Sequence, residues 1–197
     1  MGLILLFCSY ICLIFPHFSD ALADYSYQSV IREDAYAASS INEKEKQALL
    51  ENAGIYNQHI FEQQQRMPFA YAGEDASDGT YDSLFEGFST LCTLEIPSLS
   101  LYLPVRKGTK TETLRNGCGH LYGTSIPIGG DNTHAVIAAH SGLTEASLFS
   151  EIHLLQKGDL FYLHLLGDLL TYQVDECVTV PAGSEGPYLQ IEPDRIG

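Results

Sequence analysis

Basic residues are scarce in this chain. Ten Lys and Arg stand against 25 Asp and Glu in 197 residues, a formal net charge of −15. No strong basic cluster breaks that balance. Such a surface repels a phosphate backbone, so nucleic acid is not an expected partner. Paired cysteine motifs are missing as well. The five cysteines, Cys8, Cys12, Cys92, Cys118 and Cys177, contain no C-x-x-C pair, which argues against a zinc or redox site. Their odd number and scatter do not suggest a disulfide framework. No cofactor and no metal are expected. What is present is globular: 45% of residues are apolar, enough for one domain with a real core and an appendage.

Residues 3 to 16 are apolar, and the first charge is Asp20. The run is near the lower length limit for a membrane-spanning helix and long enough for a signal-peptide core. No Lys or Arg precedes it, the first being Arg32, so the usual positive flank is absent. Ala21-Leu22-Ala23 resembles a small-residue cleavage site. A buried core helix fits an extreme N-terminus less well. We take residues 1–24 as a membrane anchor or signal-like segment, with the rest of the chain outside the membrane. Cys8 and Cys12 lie within it, where a thiol behaves as a small hydrophobe.

Residues 25 to about 65 read as helix. Ser40 and Glu43 have capping-box spacing, and Leu49, Ala53 and Tyr56 share a face. Pro68 ends the helix. The acidic stretch 72–81 reads as a solvated loop, because it lacks the ordered ligand spacing of a calcium loop. A boundary near residue 80 separates a helical extension, 25–80, from a β-domain, 81–197. From Leu91 onward, short β-type runs alternate with Pro and Gly. Leu94–Pro97 and Leu99–Val105 read as strands joined by a tight turn, Thr111–Asn116 as a helical turn, and Leu148–Ile152 as a short helix or turn. Leu160–Leu165 and Leu169–Val174 form a hairpin about Gly167-Asp168. The second strand continues through Cys177 to Pro181, which makes Cys177 a core residue. Many short strands without long helices favour a closed or nearly closed barrel.

The chemistry centres on Thr133–Leu143. An apolar strand, 133–139, rises to His140 and breaks at Ser141-Gly142. That pattern delivers an imidazole to the edge of a sheet, where it can give and take a proton. A strand-end histidine bonded to a loop fits the same window. Cys118, in Gly117-Cys118-Gly119-His120, is the one thiol with an imidazole close by in sequence. A metal site from Cys118, His120, His134 and His140 lacks the tight ligand spacing of zinc sites.

Taken together, Ile96-Pro97, Leu103-Pro104-Val105, Gly108-Thr109, Gly119-His120-Leu121, the run Gly123 to Gly130, Asn132-Thr133-His134, His140-Ser141-Gly142-Leu143, Leu148-Phe149, Gly158-Asp159 and Tyr172 to Asp175 resemble a class C, pilin-polymerising sortase. The resemblance implies a mainly β fold: a sortase-like β-barrel with an N-terminal helical extension and a membrane segment. It implies a cysteine transpeptidase at the Gram-positive cell surface, where pilin or surface proteins with LPxTG-type sorting signals are its partners. A thiolate attacks the Thr-Gly bond, a histidine protonates the leaving amine, an arginine steadies the oxyanion, and a lysine amine of the next pilin resolves the thioacyl enzyme. His140 matches the catalytic histidine. Pro68 and Phe69 match two residues of the lid, whose acidic residue is replaced by Met67. The family's cysteine, in a Thr-Leu-x-Thr-Cys context, and its arginine have no counterpart, and Arg195 lies ahead of where that strand would begin. Cys118 matches a small structural residue. The chain is therefore expected to be an incomplete barrel lacking its last strands, and inactive. The alternative is a non-catalytic, membrane-anchored β module that binds peptides or surface proteins.

Overall fold

The computed structural model describes residues 23–66, 79–141, 148–181 and 183. Helix α1 covers residues 23–40, and α2 runs Glu43–Arg66. The break between them falls two residues later than the Ser40–Glu43 box implies. Asn42 is the cap: its side-chain oxygen accepts the Glu45 N–H at 3.0 Å, and the Glu45 carboxylate accepts the Asn42 N–H at 3.0 Å. That reciprocal pair satisfies two donors that the helix start leaves open. Ser40 instead donates its hydroxyl to Tyr36 O at 2.9 Å and finishes α1. On α2, Ala53, Tyr56, Asn57, Ile60 and Gln64 are buried. Their spacing of three and four residues gives one face.

Six strands follow: β1 Cys92–Ile96, β2 Leu101–Lys107, β3 Cys118–His120, β4 Ile137–Ala138, β5 Leu160–Leu165 and β6 Asp168–Gln173. They form one sheet in the order β4-β3-β2-β1-β5-β6, so β4 and β6 are its edges. Short helix α3 (Gly79–Ser83) precedes β1, and α4 (Thr111–Arg115) lies within the β2–β3 crossover. Only that crossover makes a parallel pair among the described strands, Val105 facing Cys118 and Lys107 facing His120. The β5–β6 turn sits one residue earlier than expected. Leu166 and Gly167 carry positive φ of 48° and 85°, the hand that suits a two-residue hairpin.

Two expected strands are shorter than the sequence implies. Only Ile137–Ala138 of the run 133–139 is strand, because residues 134–136 bond to the 121–125 loop and not to a strand. β6 stops at Gln173, and Cys177 is exposed rather than core. Asp175 and Glu176 interrupt the apolar alternation there. Asp175 faces solvent, paired with Lys157 at 3.0 Å.

Helices and sheet share one core. Tyr27 and Ile31 of α1, Tyr56 and Ile60 of α2, Tyr81 and Phe85 pack with Leu94, Leu103, Val105, Ile126 and Leu163. No described helix is long and apolar enough to cross a membrane. The apolar segment 1–24 lies outside the described residues except for its last two, and so do Pro68 and Phe69.

Gly119 is fixed by close approach. A Cβ there would stand 2.3 Å from Gly108 O and 3.0 Å from Leu114 Cδ2. The first neighbour is backbone and cannot swing aside. Gly119→Ala is expected to lower stability by about 3 kcal/mol, as overpacking of a tight interior does. Urea-unfolding midpoints of the two proteins measure it, and an unchanged midpoint would mean that the β2–β3 crossover is looser than it stands here.

Candidate functional site

His140 lies two residues beyond β4, half-buried, at the edge of the sheet. Its carbonyl accepts the Phe149 N–H at 3.0 Å. Ile137 and Ala139 pack against the core. Alternation turns Ala138, the partner of Gly119, to the face away from the core, and His140 lies past the end of that ladder. Cys118 and His120, on β3, face the core and are completely buried. Cys118 and His120 are thus sealed in the core, whereas His140 is half-buried past the end of β4.

His120 is wholly out of water, and its imidazole is bonded at both nitrogens. Nε2 is 2.7 Å from Ser125 O, a group that only accepts, so Nε2 carries the proton. Nδ1 then accepts the Tyr81 hydroxyl at 2.9 Å. The Tyr81 oxygen in turn accepts the Gly108 N–H at 3.1 Å. Tyr81 also stacks on the His120 ring at 5.7 Å and meets Tyr122 edge-on at 5.2 Å. Burial pushes the His120 pKa down to about 4, against a partial lift from the Ser125 carbonyl. The ring is neutral at physiological pH, and its donor and acceptor are both committed to structure. It is neither an available metal ligand nor a general base.

The thiols are equally committed. Burial pushes the Cys118 thiol up to about 12, with the nearby Arg106 guanidinium pulling slightly back. Burial, and then Cys118 beside it, raises the Cys92 thiol too. Neither is a thiolate at neutral pH, and a thiol that stays protonated is a poor nucleophile. Cys177 is exposed, beyond the end of β6, with its sulfur 3.4 Å from Leu155 O. Among the described residues no cluster of His, Cys, Asp and Glu could hold a metal.

Among the described residues, two concavities lie away from His140. One, of about 320 Å³, lies between α1 and the β1–β5–β6 wall and is lined in part by Asp34, Tyr102, His164 and Leu169. Its polar groups are already used: Asp34 accepts the Ser89 N–H at 3.0 Å and the Thr90 hydroxyl at 2.6 Å, and His164 pairs with Glu95 at 2.6 Å. The other, of about 520 Å³, lies between α2 and α3 beside Ile55, His59 and Phe85.

A family profile described as the sortase domain matches residues 94–191. Sortase C of Streptococcus pneumoniae is 33% identical, with 85% of this chain and 84% of that one covered and a TM-score of 0.74. Sortase C1 of GBS pilus island 1 is 30% identical over 86% and 85%, with a TM-score of 0.78. Clostridium perfringens sortase C, solved with the C-terminal cell wall sorting motif, is 33% identical over 85% of each chain at 0.72. The chain belongs to the sortase family. No curated protein sequence matches it, but these structural neighbours are class C sortases and place it in that branch.

In this sortase the helical extension braces the site end of the sheet. Asn57 donates Nδ2 to Ile126 O at 3.0 Å and accepts the Ile126 N–H on Oδ1 at 2.7 Å. One turn pair further on, Gln64 donates to Gly123 O at 3.1 Å. Both sit on the buried face of α2. A polar residue repeated every seven positions within an apolar face marks such a clamp in the sequence, and the helix reading passed over it.

Asn57→Leu strips the buried Ile126 N–H of its partner and leaves the Ile126 carbonyl with the Ile128 N–H alone, at 2.8 Å. The expected cost is about 1–3 kcal/mol, read as a fall in the urea midpoint. A loss within experimental error would mean that the Ile126 backbone finds other partners. The neutral His120 sets a pH dependence. Below about pH 6.5 the unfolded imidazole takes a proton that the folded one refuses until about pH 4. This contribution to stability is therefore full above that window and lost as pH falls through it. Folding should weaken by about 2 kcal/mol between pH 7 and pH 5. His120→Gln should remove that part of the slope.

Proposed function

We propose that this sortase takes part in joining pilin subunits, with His140 as its proton-transfer residue. In that reaction a cysteine thiolate attacks the Thr-Gly carbonyl of a sorting signal. The thioester bond forms, the peptide bond breaks, and His140 delivers a proton to the departing glycine amine. A lysine amine of the next subunit then attacks the thioester. His140 takes the proton back, and the thiolate leaves. The observation that carries this reading is the match to class C sortases over most of the chain, helical extension included, with a half-buried imidazole two residues past β4. LPxTG-type sorting signals are the substrate class this reading assigns. The segment 1–24, with its apolar run 3–16, is its single-pass anchor, and the remainder of the chain lies outside the membrane.

Residues 1–197 hold no Thr-Leu-x-Thr-Cys sequence. Of the three described cysteines, two are buried with raised thiol pKa values and the third lies beyond β6. We therefore expect these residues alone to bind a sorting signal without cleaving it, which is also what a non-catalytic β module would do. The two readings part when a strand with Thr-Leu-x-Thr-Cys and its arginine is joined to them. A pilin sortase then gains cleavage of an LPxTG-type peptide, and His140→Ala lowers the rate about 10³-fold. A binding module gains nothing. Mass spectrometry of the enzyme–peptide mixture detects the thioacyl adduct. An adduct on Cys92, Cys118 or Cys177 of the 197-residue chain would sink the expectation of inactivity.

A further inference from the structure

One loop holds the chain as it approaches His140. The His134 N–H donates to Ser125 Oγ at 3.0 Å, and the Ser125 N–H donates to His134 O at 2.9 Å. The Val136 N–H donates to Thr124 Oγ1 at 3.2 Å, and the Leu121 N–H donates to Val136 O at 2.9 Å. Two side-chain hydroxyls therefore stand where the backbone carbonyls of a neighbouring strand would stand. Past Val136 the chain pairs with β3, Ile137 opposite His120 and Ala138 opposite Gly119. His140 follows two residues later. The register of this segment on the loop decides where the His140 backbone is delivered.

The loop in turn closes on His120. The imidazole Nε2 is 2.7 Å from Ser125 O and 3.2 Å from Thr124 Oγ1. One buried ring thus touches both residues whose hydroxyls grip residues 134–136. Tyr81 fixes the proton on the nitrogen that faces them, by donating to the other.

We infer that His120 is a positioning residue for His140, acting through Thr124 and Ser125 on the segment that ends there. It touches no substrate and moves no proton in the reaction. The inference rests on His140 being the proton-transfer residue, but its test reads the place of an imidazole and not turnover. Failure of the cleavage reading would leave the outcome below unaffected.

The experiment is NMR on the 197-residue chain with isotope-labelled histidine, the His140 signal being identified by its loss in His140→Gln. His120→Phe keeps a ring and removes both nitrogens. The His140 ring signal should shift or split, and hydrogen exchange at the Phe149 N–H should quicken about tenfold or more, while exchange in the central strand β1 stays within about twofold. His120→Gln, which restores an N–H toward Ser125 O, should return the His140 signal toward its original place. If His120→Phe does not fold, Ser125→Ala removes only the hydroxyl that accepts from His134 and carries the same expectation. An unmoved His140 signal in a folded variant overturns the inference. So does equal acceleration at Phe149 and in β1, because that is a loss of stability and not of position.

Discussion

A neutral imidazole held at both nitrogens in a dry interior is the constraint on which the site end of this sheet depends. Leaving either nitrogen unbonded there would cost the desolvation of a polar group with nothing in return. The ring therefore dictates where Tyr81, Thr124 and Ser125 stand, and those residues dictate the path of the chain into β4. Asn57 and Gln64 grip the same loop from the helical side. The extension is thus part of the frame of the site. Its polar residues complete the hydrogen bonds of a loop that no strand covers.

Burial also sorts the chemistry. Cys118 and His120 are two residues apart, point into the core, and have lost their reactivity to burial: the thiol is held protonated and the imidazole neutral. His140 comes two residues after Ala138, the partner of Gly119, and is only half-buried. A thiol and an imidazole two residues apart on a strand share a face, and here that face is buried, which keeps both from any substrate. Proximity along the chain and accessibility to a substrate are set by different periods.

Much of this was legible in the sequence because the relevant patterns are local or strongly periodic. Strands β1, β2, β5 and β6, the α4 turn and the amphipathic face of α2 all follow from residue type and spacing. The motifs of the β-domain pointed to the family that the structural neighbours bear out. One misreading arose where a more distant partner decided the outcome, and two where neighbouring residues competed. Thr133–Ala139 has the composition of a strand, yet hydroxyls from Thr124 and Ser125 take up its upstream hydrogen bonds. Cys177 continues an apolar alternation, yet two acidic residues before it carry the chain off the sheet. The α2 cap was misplaced because Ser40 and Asn42 both fit the rule, and only the Glu45 side chain decides between them.

The central strand has a consequence for the order of events during synthesis. β1 bonds to β2 a few residues away and to β5 far along the chain, with Thr93 opposite His164. Until β5 has emerged, one side of β1 has no ladder, and the α1–α2 face has no finished wall to pack on. Pairings so distant in sequence make folding slow and leave nascent chains open for longer. A polypeptide that stays open until most of it has been made keeps the apolar residues of β1 exposed until β5 arrives.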